Sequence, residues 1–187
     1  RTEKINIALR LPILIFNGLF LLYFFWVVSK FSCSKKLGAL FVLLLSVSPI
    51  LVGISQIINP DSFLWVFSGA AIFSYLALLR TREKKFILLT ALFTGLSLLS
   101  KYTANILFPI YLFLFYGYYF LESGLFEKIK ETREYFLKGI GGLLGIYAGS
   151  LVVFSIFMPA VFVKFKYLAD GTFDFPGFKI LILPLLA

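Results

Sequence analysis

Lys101 is the only charged side chain between Phe86 and Phe120, a run of 35 residues. Behind it stand Thr90, Thr94 and Ser97, so that the four are spaced by 4, 3 and 4 residues. That spacing sets them on one face of an otherwise apolar helix. In a bilayer such a polar stripe turns towards other helices or towards water, not towards lipid. Two readings stay open. In one, the hydroxyls let helices pack and the lysine reaches up to the headgroups. In the other, the ammonium, a compact point charge, holds an anionic group such as a phosphate. A lysine at the bilayer centre costs about 2.5–3.5 kcal/mol and much less near the surface, so energy alone does not choose.

Two further groups stand beside apolar runs. Asp61 follows Pro60 and precedes Ser62 and an apolar stretch. It suits the N-cap of a helix over 63–79, and equally a carboxylate that orients a hydroxyl or a cation. Arg10 heads the first apolar run, just before Leu11 and Pro12. Other chemistry finds little support. The chain has no histidine and one cysteine, Cys33, which argues against a disulfide within it, the usual zinc sites and histidine catalysis. Cys33 beside a membrane end is either an inert thiol or an acylation site. One aspartate is too little to argue a metal site, and participation of a divalent cation stays open. "GIGGLLG" (139–145) looks like a dinucleotide fingerprint, but it opens an apolar span and follows no strand, so close helix packing is expected.

The elements that must position these groups are membrane helices. Of 187 residues, 60% are hydrophobic and 14% charged, and the mean hydropathy is +0.97. Soluble domains carry roughly 25% charge. The expected fold is all-α, a polytopic transmembrane helical bundle of about six complete spans plus a truncated one, within a single domain over 1–187. The spans are read at 11–29, 37–58, 63–79, 86–100, 103–120 and 139–163, with a partial one at 178–187. Pro49 is expected to kink the second. Residues 122–138 read as an amphipathic surface helix or a solvated connector. Arg1 is not an initiator methionine and "FKILILPLLA" resembles a span cut short, so a segment of a longer protein is expected.

Charge sets the orientation. Three Lys lie at 30–36, four Lys or Arg at 80–85 and four at 128–138, whereas the turn at 56–62 carries none. Basic loops stay cytoplasmic. The net charge of +9 is therefore read as membrane topology, with no nucleic-acid partner. Keeping all three basic loops inside requires residues 86–120 to go out and come back. As one helix they would reach about 52 Å, against a hydrocarbon core of about 30 Å. The turn is expected near "SKYTAN", which puts Lys101 on the outer side with Asp61, Arg10, Lys164, Lys166, Asp170 and Asp174. Ordinary loop polarity accounts for that grouping as well as a site does.

Several of these features fall in a familiar order. "ALRLPILIFNGLFLLYFFWVVSK" leads from Arg10-Leu11-Pro12 into a span ending in lysine. "LLLSVSPILVGISQIINPDSFLWVFSGAAIF" carries Ser48-Pro49 and then Pro60-Asp61. "LLTALFTGLSLLSKYTANILF" ends the series with Lys101. Over about residues 8–120 the succession resembles the GT-C superfamily of membrane glycosyltransferases, in particular the group of protein mannosyltransferases and lipid A aminoarabinose transferases. The resemblance implies a hexosyltransferase that takes a sugar from a polyprenyl-phosphate carrier. The acceptor, a glycan, lipid or protein, would lie on the extracytoplasmic face of the plasma (cytoplasmic) membrane. It implies that Lys101 and Arg10 bind the donor phosphate, and that Asp61 matches the second outer-loop aspartate and orients the acceptor or a cation. The family's base is an acidic residue upstream of the Arg-Leu-Pro segment, in a first outer loop preceded by a span. The base is thus expected before Arg1, and the segment alone is expected to be inactive. The reading from another class is a non-enzymatic transporter or lipid-carrier flippase, which an intramembrane lysine and a polar stripe also suit. Reporters fused after Gly124 and within "NPDS" are expected on opposite membrane faces; finding both on one face would undo the topology.

Overall fold

The computed structural model describes residues 2–49, 53, 60–122 and 129–159. Lys164, Lys166, Asp170, Asp174 and the partial span at 178–187 lie outside the described residues. Those described form helices and turns with no strand. In order they are α1 (Thr2–Ser32), α2 (Lys35–Ser46), α3 (Pro60–Thr81), α4 (Lys85–Ser100), a 3-10 helix (Tyr102–Ile106), α5 (Leu107–Glu122) and α6 (Ile129–Phe157). Among the described residues, three stretches are long and apolar enough to cross a membrane: Arg10–Ser32, Pro60–Thr81 and Gly139–Phe157. α4 and α5 have 16 residues each, or about 24 Å of helix.

Helix ends differ from the sequence expectation in several places. α1 begins at Thr2 rather than 11 and continues through Pro12, which withholds one N–H from the helical ladder. α2 stops at Ser46, so Pro49 lies beyond a helix end instead of kinking a span over 37–58; the residue before a proline disfavours helical backbone. Asp61 is not an N-cap, because Pro60, with its fixed φ, already occupies the first helical position and leaves Asp61 within the first turn. α6 starts at Ile129, so residues 129–138 are the head of the last described helix and not a separate surface element. That helix ends at Phe157, short of 163 and two residues before Pro159.

The apolar run 86–120 divides at Lys101. Lys101 is extended (φ −162°, ψ 136°), and its N–H closes α4 on the Ser97 carbonyl at 3.1 Å. Its own carbonyl then accepts from Ala104 N–H at 3.0 Å and begins the 3-10 turn. Ser100, Lys101, Thr103 and Asn105 cluster there, side chains that compete with helical hydrogen bonding or seek water.

Contacts fix the directions. Phe16 packs on Phe63 at 5.1 Å and Phe24 on Phe73 at 6.0 Å, so α1 and α3 run parallel. Phe24 meets Phe41 at 6.3 Å, and a Cβ on Gly38 would strike Ser29, so α2 folds back on α1. Asp61 lies against Lys101 and Ser68 against Ser97, so α3 and α4 are antiparallel. A Cβ on Gly95 would meet Val153 at 2.7 Å and one on Gly149 would meet Ala91 at 2.9 Å, so α4 and α6 are parallel. Phe108 packs on Tyr147 at 4.7 Å and Phe115 on Phe136 at 5.6 Å, so α5 opposes α6. Odd-numbered helices thus point one way and even-numbered helices the other, and the chain reverses at 101–106.

One end of the bundle is basic. It gathers Lys30, Lys35, Lys36, Arg80, Arg82, Lys84 and Lys85 around the turns α1–α2 and α3–α4. Cys33 and Arg82, with φ of 55° and 57°, let these turns reverse tightly. Glu83 pairs there with Lys85, which holds its carboxyl below the ordinary range. The opposite end carries the start of α3, Lys101 and the end of α6. Arg10, one and a half turns before Phe16 on α1, belongs to that end too.

The expected close packing of "GIGGLLG" is uneven. A Cβ on Gly139 would strike the Phe115 ring, whereas Gly141 and Gly142 have nothing within 4 Å. This contrast yields a prediction. Gly95→Ala is expected to destabilise the protein by about 1–3 kcal/mol through overpacking, outweighing a helix-propensity gain of up to about 1 kcal/mol. Gly141→Ala keeps only the gain. Thermal melting in detergent reads both, and an unchanged or higher melting temperature for Gly95→Ala would refute a tight α4–α6 crossing.

Candidate functional site

The hydroxyl stripe is buried and spent on helix contacts. Thr90 Oγ1 donates to the Phe86 carbonyl at 2.7 Å. Thr94 Oγ1 donates to the Thr90 carbonyl at 2.7 Å, which leaves it to accept from the Tyr111 hydroxyl of α5 at 2.6 Å. Ser97 Oγ and Ser68 Oγ of α3 lie 2.6 Å apart. Thr90, Thr94 and Ser97 are wholly buried. In the low-dielectric interior each hydroxyl needs such a partner, because leaving one unmade costs about 1–3 kcal/mol. For these three residues the packing reading holds.

Lys101 departs from the stripe. Its Nζ donates to Asp61 Oδ1 at 3.0 Å. The side chains are 52% and 41% exposed, so the pair is open to solvent or headgroups. The sequence placed the two residues on one side; the structure brings them into contact across α3 and α4, 40 positions apart. Local folding favours both charges. Asp61 in the first turn of α3 meets the positive end of that helix, and Lys101 caps the negative end of α4. Arg10 shares this end of the bundle and is exposed. The structure joins Lys101 and Asp61 directly.

Some neighbours were not singled out from sequence. Asn105, four residues after Lys101, is buried in the 3-10 turn; a lone amide in an apolar run was the available signal. The Tyr102 hydroxyl lies 3.8 Å from Met158 Sδ, and its ring packs on Phe154 at 6.1 Å, so the end of α6 closes behind the turn. Nothing in the spacing of Met158 pointed to that. Among the described residues, no three His, Cys, Asp or Glu side chains gather as metal ligands would.

An exposed ion pair contributes about 0–1 kcal/mol. This one is therefore cheap to open, and an anionic phosphate can compete for the ammonium. Chemically the site can neutralise an anion at Lys101 and present a carboxylate within reach of it. Lys101→Ala is expected to lower stability by no more than about 1 kcal/mol. Thr94→Val strands the buried Tyr111 hydroxyl and should cost about 1–3 kcal/mol. Melting temperatures in the reverse order would make the ion pair a structural clasp.

Comparison with known proteins adds the family. The family model described as dolichyl-phosphate-mannose-protein mannosyltransferase matches residues 3–163. Neither the curated proteins nor the solved structures give a match. The model match takes in α1 to α6 together with Arg10, Asp61 and Lys101, and with it the chain belongs to the dolichyl-phosphate-mannose-protein mannosyltransferase family.

Proposed function

We propose that the chain forms the donor-phosphate end of a glycosyltransferase site, moving a sugar from a polyprenyl-phosphate carrier to an acceptor on the extracytoplasmic face. Its family consists of membrane glycosyltransferases that use polyprenyl-phosphate-linked sugars. The observation that carries the reading to residues is the Lys101–Asp61 contact of 3.0 Å, at the end of the bundle opposite the basic turns. Basic turns held in the cytoplasm put that contact on the outer side.

In the transfer, an acceptor hydroxyl oxygen bonds to the anomeric carbon and gives its proton to a base of the full-length protein, while the carbon–oxygen bond to the carrier phosphate breaks. The carrier leaves as polyprenyl phosphate, and negative charge grows on its oxygens. Lys101, at the rim of the bundle, is the cation that meets that charge. Arg10, on the same rim, adds a second cation. Asp61 holds the ammonium in place until the donor arrives. Released by the phosphate, its carboxylate accepts a hydrogen bond from the acceptor hydroxyl or binds a cation. The aromatic faces between α1, α3 and α4, such as Phe20 on Phe67 at 5.6 Å, make rigid walls for these helices.

A single pre-placed donor to a developing oxyanion is worth about 10²–10³ in rate. Lys101→Ala and Asp61→Ala in the full-length protein are each expected to abolish transfer from a polyprenyl-phosphate sugar, with membrane insertion intact. Transfer is measured by radiolabelled sugar leaving the carrier. Wild-type turnover in both variants would retire the site assignment, whereas no transfer by the wild type itself would favour a carrier or transport role.

A further inference from the structure

Ser68 and Ser97 lie directly beneath the ion pair, and the proposed chemistry does not use them. Their oxygens are 2.6 Å apart across α3 and α4. Ser97 precedes Lys101 by one helical turn, and its carbonyl accepts the Lys101 N–H at 3.1 Å. Ser68 follows Asp61 by seven residues, two turns of α3, and so sits on the same face. Along the axes the two steps amount to about 6 Å on α4 and about 10.5 Å on α3. The long lysine stem spans the difference.

Phe67 and Phe93 stack at 6.4 Å, an apolar contact with little directional demand. A hydroxyl pair at 2.6 Å is lost with a shift of about 1 Å. We propose that the Ser68–Ser97 pair is a positioning device: it sets the axial register of α3 against α4 and thereby holds the Asp61 carboxylate against the Lys101 ammonium. Ser97 acts twice, through its hydroxyl on α3 and through its carbonyl on the backbone of Lys101. The effect on transfer rests on the reading that Lys101 receives the donor phosphate; the effect on the ion pair does not.

The test uses the full-length protein in membranes. A water-soluble carbodiimide activates the Asp61 carboxyl, the Lys101 amine displaces the activating group, and the resulting amide joins two peptides that mass spectrometry quantifies. The wild type is expected to cross-link. Ser68→Ala and Ser97→Ala should each cut the yield several-fold, and the double variant should fall no further than the singles. Ser68→Thr, which keeps a hydroxyl at a half-buried position, should restore the yield. Donor kcat/KM should fall about 10–100-fold in the alanine variants, while the double variant melts close to the wild type because both partners of the bond are gone. An unchanged cross-link yield in both single variants would overturn the inference, whatever the activity. A reduced yield together with normal transfer by Lys101→Ala would support the register role and remove only the donor reading.

Discussion

A chain that turns back at the edge of hydrocarbon must satisfy the backbone groups that two helix ends leave open. Here the reversal at 101–106 meets that demand within a few residues. Lys101 N–H returns to α4, the Lys101 carbonyl starts the 3-10 turn, and Leu107 resumes the helix. The rest of the bundle follows from this turn. It sends α5 back along the bundle, which lets α6 run parallel to α4 and close on it through Gly95 and Gly149. It also leaves the lysine at a rim rather than in the middle, next to the first turn of α3.

Polar groups are divided by depth. Several interior hydroxyls are paired between helices, as Tyr23 with Ser74 at 2.6 Å and Thr94 with Tyr111 at 2.6 Å. Such bonds are directional, so they define how helices sit relative to one another where apolar contacts alone leave latitude. Full charges stay at the two ends. The ion pair between α3 and α4, Lys101 with Asp61, is half exposed at one of those ends. A rigid interior and a half-exposed rim suit a site that must bind and release a charged lipid.

The break at Lys101 was legible because 35 apolar residues exceed a bilayer, and the basic end was legible because its lysines and arginines flank apolar runs. The family could be read from the order of Arg10, Pro49, Asp61 and Lys101. The touching of Asp61 and Lys101 was not legible, since one sequence does not say which helices are neighbours. α2 ends at Ser46 although apolar residues continue to 58, and only Pro49 marks the stop. Residues 129–138 carry charge like a connector, yet Lys, Glu and Arg are good helix formers and extend α6. Ser68 looked like any small residue in a span until Ser97 appeared opposite it.

The alternating helix directions also make the molecule electrically lopsided. Lys30, Lys35, Lys36, Arg80, Arg82, Lys84 and Lys85 stand together at one end with Glu83, a local excess of six positive charges from seven cations and one anion. The Lys101–Asp61 pair at the far end is neutral as a unit. In an energised membrane each cation favours the negative face by about 2.3 kcal/mol per 100 mV. Across such a membrane this excess favours the orientation that sets the basic turns on the negative face, without drawing on any side-chain contact.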